Sequence, residues 1–391
     1  MRADVDVAIA GGGIAGCAAA LTLLRYTGLS VAVFERRAYD EPRAGEQFAA
    51  ESRPMLQYLG VDGDALLDGH AGGDSPACAW QTAELLVPRH RLGTAERAWF
   101  VDRARLDRAM ADEARRRGAR FRCAFVQTAR FDPAERSWSV IADDGGEPLR
   151  ARGLIDAAGS AAPIARALGA VFVTDDDLYA VTARYRDGAP ALRHLIVEAA
   201  AEGWWYAVPI PGDVLVVTFI TDLATMRRLQ PAHLARWDEL VAETLHVRAL
   251  VDGRAPASLR GVFVPSRRLS RAGGRGWAAA GDAAMATDPI SAMGIGFALH
   301  SGASAARALV ADLGGDATAT VAYCDRVATA FERYRATRRE LYTAVARWAD
   351  RPFWLGRASM VRAERATAGR STIARTAGDG AACSSRANAF S

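Results

Sequence analysis

Val5-Asp6-Val7-Ala8-Ile9-Ala10-Gly11-Gly12-Gly13-Ile14-Ala15-Gly16 is the stretch on which the fold turns. Residues 5–10 predict a short buried strand. Gly11, Gly13 and Gly16 form a G-x-G-x-x-G turn, and Ile14 to Leu24 predict an apolar helix that Gly28 ends. Val31 to Phe34 is a second apolar run, closed by Glu35. Strand, tight turn, helix and strand within about 30 residues make a dinucleotide-binding unit. Each glycine has its own reason. The first allows the tight turn, the second lets backbone approach a pyrophosphate, and the third lets helix pack on strand. The helix start, at Ile14 and Ala15, then offers free N–H groups and a positive dipole end to phosphate. Glu35 stands where an acidic residue can grip a ribose hydroxyl.

A second element lies far along the chain. Gly281-Asp282-Ala283-Ala284 follows the predicted strand Trp277-Ala278-Ala279-Ala280, and then come Asp288-Pro289 and Gly294-Ile295-Gly296 before a helix. A strand-end aspartate can hydrogen-bond a ribityl chain, and a helix N-terminus can face the pyrimidine end of a flavin. The two elements together favour FAD over a nicotinamide dinucleotide as the resident group.

The rest of the chain sets bounds. Its 391 residues, 50% hydrophobic and 24% charged, have an ordinary globular composition. Cys17, Cys78, Cys123, Cys324 and Cys383 are widely spaced, and the six histidines are scattered, so neither a disulfide framework nor a metal site is expected. The net charge of +4 is too small for a nucleic-acid binder. No apolar run approaches a membrane span, so no membrane partner and a cytoplasmic location are expected. The sequence contains no lysine. No lysine can therefore serve as acid, base or Schiff-base former.

Further elements are expected as helices over 51–60, 106–117, 231–251, 294–312 and 317–348. Strands are expected over 121–128, 138–142, 154–158 and through the strand-rich region 172–222. Residues 365–391 have the small, polar composition of a disordered tail. The expected fold is α/β, with a Rossmann-type FAD-binding domain, an inserted strand-rich substrate domain and a C-terminal helical region. Residues 1–75, 100–170 and 260–315 make the first, 76–99 and 171–259 the second, and 316–364 the third.

These elements resemble the FAD-dependent aromatic monooxygenases of the hydroxylase type, and the likeness narrows to the tryptophan-halogenase-like branch. Glu35-Arg36-Arg37-Ala38-Tyr39-Asp40-Glu41-Pro42-Arg43-Ala44-Gly45-Glu46 is similar to that branch's segment ending in Arg-x-Gly-Glu-Ser, with Gln47 in place of serine. Trp99-Phe100-Val101-Asp102-Arg103 resembles its aspartate–arginine element. Gly203-Trp204-Trp205-Tyr206-Ala207-Val208-Pro209 resembles its W-x-W-x-I-P signature, with tyrosine and valine substituted. Asp288-Pro289-Ile290-Ser291-Ala292-Met293-Gly294-Ile295 resembles its flavin loop. Arg347-Trp348-Ala349-Asp350-Arg351-Pro352-Phe353-Trp354 is similar to a late segment of its non-halogenating members, which oxygenate peptidyl tryptophan in tryptophylquinone maturation.

The resemblance implies FAD reduced by NAD(P)H directly or through a separate flavin reductase. It implies oxygen transfer from a flavin C4a-hydroperoxide to an electron-rich aromatic carbon. The substrate is then an indole or tryptophan, free or within a peptide or protein. Alternatives are a small phenol or pyrrole, or a maturation flavoprotein without turnover. Halogenases of the branch use a catalytic lysine and a glutamate in the flavin loop. Here lysine is absent and Ser291 stands at the glutamate's place, which argues against halogenation. Arg36, Arg43, Gly45, Arg103, Val126, Gly159, Pro289 and Met293 join the glycine turn, Glu35, Gly281, Asp282, Gly294 and Ile295 as expected flavin contacts. Trp80, Trp204, Tyr206, Met285, Ser291 and Met293 are candidates for the substrate pocket. Trp204 and Tyr206 should share one face of a strand, with Trp205 on the other. Met285 and the tryptophans could equally be core residues. His300 is a candidate base that could equally be a packing residue.

Overall fold

The strand Val5–Ala10 lies in the middle of the main sheet of the computed structural model, which describes residues 3–87, 98–187 and 191–357. Val31–Phe34 and then Arg120–Arg122 pair parallel on one side of it. Leu149–Asp156 and then Trp277–Ala279 pair parallel on the other. Both faces of the central strands are covered, which is why they read as nearly unbroken apolar runs. An antiparallel meander, Val126–Asp132 and Ser137–Ala142, extends from Leu149–Asp156. The helices Ile14–Tyr26 and Gly294–Leu313 pack on each other at Gly302, where an added Cβ would lie 2.2 Å from the Ala15 carbonyl oxygen.

A second, six-stranded sheet holds Ala77–Ala79, Leu178–Arg186, Ile196–Ala200, Gly203–Ile210, Val214–Asp222 and Ser258–Phe263. It is antiparallel apart from the Ala77–Ala79 edge. Gly203–Ile210 and Val214–Asp222 form a hairpin closed by Pro211-Gly212-Asp213, whose last two residues have positive φ (88° and 57°). Strand alternation puts Trp205 on one face, against Trp237 and Phe219, and Trp204 with Tyr206 on the other. A small three-stranded sheet of Gln47–Phe48, Ala71–Gly73 and Ala98–Phe100 lies between the two larger ones in sequence, and Phe100 packs with Val208 of the hairpin.

Three expected elements are divided. Residues 121–128 are not one strand: Arg120–Arg122 joins the parallel sheet, and the chain turns before Val126–Asp132 opens the meander. The helix expected over 231–251 is two, Leu234–Ala242 and His246–Val251. The buried Glu198 carboxylate causes the break by accepting from the N–H groups of Leu245, His246 and Val247 at 2.6, 3.0 and 3.0 Å. A side-chain acceptor of this kind competes with the helical ladder and starts a new helix. The last long helix ends at Thr343 rather than at 348, and residues 352–357 form a separate turn of helix. The tail expected over 365–391 lies outside the described residues.

Candidate functional site

The three motif glycines differ in what surrounds them. Gly11 has φ +96°, and an added Cβ there would lie 2.2 Å from the Ala157 carbonyl oxygen. A Cβ on Gly16 would lie 1.8 Å from the Gly11 oxygen. Packing within the protein therefore demands both glycines. Gly13 is different: among the described residues its added Cβ would meet the tip of Arg43 at 3.4 Å and an Asp107 carboxylate oxygen at 4.0 Å, both ordinary contacts. No side chain caps the helix that starts at Ile14, and its first turn carries no acidic residue. The uncapped N–H groups and the open space before them fit a pyrophosphate.

Glu35 accepts from the Gly12 N–H at 2.9 Å and from the Arg37 N–H at 3.0 Å. It thus fixes the glycine turn from the end of the second strand. A cavity of about 430 Å³ opens beside it, lined by Glu35, Tyr39, Arg108, Arg115 and Phe121 among others. Arg36 lies over the Phe125 ring at 5.2 Å, Val126 is buried, and Gly159 (φ +66°) faces open space.

Arg43 and Arg103 converge on one buried carboxylate, Asp107. Arg43 Nη1 donates to it at 2.7 Å and Arg103 Nε at 3.0 Å. Arg103 also donates to the Ala44 carbonyl at 2.8 Å, which holds the loop at Gly45 (φ +99°). Burial opposes the Arg103 charge, but Asp107, Asp282 and Glu46 outweigh it and push its pKa above the ordinary value. Asp282 is open to solvent and yet walled by protein. Desolvation pushes its carboxyl up, while Arg103 and Arg267 pull it down. Gly281, beside it, lies between the two helices: its added Cβ would be 2.8 Å from Ala15 and 3.9 Å from Ala298.

The loop from Asp288 to Ile295 leads into the second helix, which also lacks a side-chain cap. Asp288 is fully buried and accepts from Tyr342 at 2.6 Å and from the Ile290 N–H at 3.0 Å. Burial, with Asp176 nearby, pushes its carboxyl up to about 6. The Ser291 hydroxyl donates to the Asp288 carbonyl at 2.9 Å. Pro289 and Met293 are half-buried, Ile295 is buried, and Gly294 is exposed with nothing within 4 Å of an added Cβ.

Of the two readings open for Trp80, Trp204 and Met285, pocket or core, the structure places all three in buried clusters. Trp80 and Trp204 are buried with Tyr342, Phe353 and Trp354 in one cluster. Their indole N–H groups donate to the Leu341 carbonyl at 2.7 Å and to Tyr342 Oη at 3.0 Å. Both are core, because the late segment around Phe353-Trp354 folds over them. Met285, 1% exposed, is core too. Tyr206 is half-buried, and its hydroxyl donates to Glu46 Oε2 at 3.2 Å. His300 is exposed on the second helix; partial burial lowers its pKa. Asp107 and Glu46 are the site carboxylates that the sequence does not single out, because their partners Arg43 and Tyr206 lie 64 and 160 residues away in the chain.

Among the described residues, no cluster of three or more His, Cys, Asp or Glu side chains is placed to hold a metal ion, and no helix is long and apolar enough to cross a membrane.

A Rossmann-type sheet carrying two uncapped helix ends around Gly281-Asp282 defines a flavin-dependent oxidoreductase. The tryptophan halogenase family matches residues 75–391, and the chain belongs to that family. LodB of Marinomonas mediterranea, described as an FAD-dependent oxidoreductase, is 28% identical over 366 residues, 89% of this chain and 95% of its own. The flavin-dependent halogenase CmlS superposes with a TM-score of 0.79 at 24% identity, over 93% of this chain and 70% of its own. QhpG, a peptidyl tryptophan dihydroxylase essential for tryptophylquinone cofactor biogenesis, superposes with a TM-score of 0.76 at 25% identity. That match covers 91% of this chain and 79% of QhpG.

Proposed function

We propose that the protein is an FAD-dependent monooxygenase that hydroxylates an electron-rich aromatic ring, an indole or tryptophan, within a peptide or protein. The observation that carries this reading is chemical. The sequence has no lysine, and Ser291, hydrogen-bonded to its own loop, stands where a halogenase of the family has its glutamate. The likeness to QhpG supports the peptide-bound substrate.

The residues fit FAD. The N–H groups from Gly13 to Gly16 would hold the pyrophosphate in the space before Gly13. Glu35 would take the ribose, with Arg36, Val126 and Gly159 at the adenine end. Asp282 would take the ribityl chain, and Gly294 and Ile295 the pyrimidine edge. Arg43, Gly45 and Arg103 would line one side, and Pro289 and Met293 the other. When bound, FAD supplies the redox chemistry, taking electrons from NAD(P)H directly or from a separate flavin reductase and activating dioxygen. The protein's own part is to hold the aromatic substrate and keep water away. Tyr206, Ser291 and Met293 remain the pocket candidates after Trp80, Trp204 and Met285 are assigned to the core. In this reading the FAD-binding and substrate-binding parts are discontinuous in the chain, with a C-terminal helical region over 316–364. The catalytic and substrate elements then come from 1–75, 100–170 and 260–315 on one side and from 76–99 and 171–259 on the other.

The test is a turnover assay by mass spectrometry with FAD, a flavin reductase, NADH, air and bromide. Free tryptophan, a tryptophan-containing peptide and simple phenols are offered in parallel. Oxygen gained by the peptide supports the proposal. Oxygen gained only by a free phenol points to a small-molecule hydroxylase, and bromine incorporation overturns the argument from the missing lysine.

A further inference from the structure

Glu46 is a carboxyl group buried with too few partners. It is 4% exposed. Its Oε2 accepts from the Gly45 N–H at 3.0 Å and from the Tyr206 hydroxyl at 3.2 Å. Its Oε1 is buried and has no hydrogen-bond partner among the described residues. Two arginines face it, Arg184 from the six-stranded sheet and Arg103 from the helix Arg103–Arg116, and neither forms an ion pair with it. A buried acceptor left open in this way is costly unless something else supplies a donor or a proton.

Behind Glu46 a row of hydroxyls runs across the sheet. Tyr206 is opposite Thr218, Thr218 opposite Thr182, and Thr182 opposite Arg260, each on the next strand. Thr218 stands directly opposite Tyr206 across the strand pair, and its hydroxyl works against the burial that raises the Tyr206 pKa. The Thr218 and Thr182 hydroxyls are 2.9 Å apart. Thr218 is buried, Thr182 half-buried and Arg260 exposed, so the row leads from the interior to the surface. The neighbouring row on the same face is Trp204, Ile220, Ala180 and Val262, which is wholly apolar. On its other side the same-face row is Val208, Val216, Arg184 and Ser258, so the hydroxyl row runs between an apolar line and one that bears the Arg184 charge. Each hydroxyl has one proton and two lone pairs, so the line can hand a proton in either direction once the hydroxyls turn.

We propose that Glu46 is the proton acceptor for aromatic oxygenation, and that Tyr206, Thr218 and Thr182 connect it to solvent. The inference rests on the oxygenation reading above. Replacing a ring C–H by C–O makes the ring shed that hydrogen as a proton, with the C–H electron pair returning to the ring. The proton forms an O–H bond at Glu46 Oε1. The carboxyl then turns to present this proton to the Tyr206 oxygen, the hydroxyls turn with it, and a proton passes by way of Tyr206, Thr218 and Thr182 to water, which restores the carboxylate.

Two measurements on the FAD-loaded protein test this. The first follows the side-chain carboxyl carbons of isotopically labelled glutamates by NMR across pH and needs no turnover. One signal should titrate above the ordinary glutamate range, because burial raises the Glu46 carboxyl. It should vanish in Glu46→Gln and move further up in Tyr206→Phe, which removes the hydroxyl donor. The second is product formation against pH. Glu46→Gln should lower turnover about 100-fold or more with FAD still bound, and Glu46→Asp should restore part of it. Thr218→Val should reduce the solvent deuterium effect, and it serves if a Glu46 variant fails to fold. A Glu46 signal in the ordinary range, or Glu46→Gln turning over like the wild type with the same pH profile, overturns the proposal. Absence of any oxygenated aromatic with the wild type overturns the oxygenation reading and the acceptor role with it, while the titration still decides whether Glu46 is a raised carboxyl held by Tyr206.

Discussion

Gly13→Ala separates binding from folding at the glycine turn. At Gly13 the backbone is extended (φ −73°, ψ −170°), and an added methyl meets the tip of Arg43 at 3.4 Å and Asp107 Oδ2 at 4.0 Å. Alanine is a poorer N-cap than glycine, and it also loses less chain entropy on folding. These effects oppose each other, so the apoprotein should change by less than about 1 kcal/mol. Binding should change more. The methyl enters the space in which backbone N–H groups would reach the pyrophosphate. Losing one hydrogen bond to a charged group is worth about 1.5–3 kcal/mol, which is roughly 10- to 150-fold in Kd. Titration of flavin fluorescence gives the affinity, and urea unfolding of the apoprotein gives the stability. Wild-type affinity in Gly13→Ala would refute the placement of the pyrophosphate. A large loss of apoprotein stability would refute the claim that this glycine is kept for a ligand. Gly11→Ala is the contrast: its φ of +96° and the 2.2 Å approach to the Ala157 oxygen should unfold the turn before binding can be measured.

Asp107→Asn should destabilise the protein by roughly 3 kcal/mol, because it leaves Arg43 and Arg103 facing a neutral group in a buried site; urea unfolding measures this. The Asp288 carboxyl is raised from 3.8 to about 6, so between those values the folded state holds a proton that the unfolded state has lost. Its contribution to stability therefore falls as pH rises through that window and is gone above about 6. Asp288→Asn should flatten the slope of unfolding free energy against pH there. Part of the slope should remain, because burial also raises Asp156 to about 6. Trp80→Ala should cost about 3–5 kcal/mol of stability and leave FAD affinity unchanged, since Trp80 packs in the cluster beneath Trp354 and Tyr342.

The glycine turn was legible because local sequence carries its whole meaning: a strand, three glycines, a helix and an acid at fixed spacing. Trp204 and Tyr206 on one face and Trp205 on the other followed from strand alternation alone. The break at Thr244 was not legible, because Glu198, some 47 residues earlier in the chain, supplies the acceptor that starts the second helix. The roles of Trp80 and Trp204 depend on where Phe353 and Trp354 fold, and no local pattern carries that. Asp107 looked like a polar helix position because its two arginine partners become neighbours only in three dimensions.

The central claim, that the protein transfers an oxygen atom from dioxygen to an aromatic ring, is tested most directly by turnover under isotopically heavy oxygen gas with bromide present. The account predicts a tryptophan-containing peptide whose mass rises by heavy oxygen and carries no bromine. A brominated product, or oxygen drawn from water instead of the gas, would contradict it.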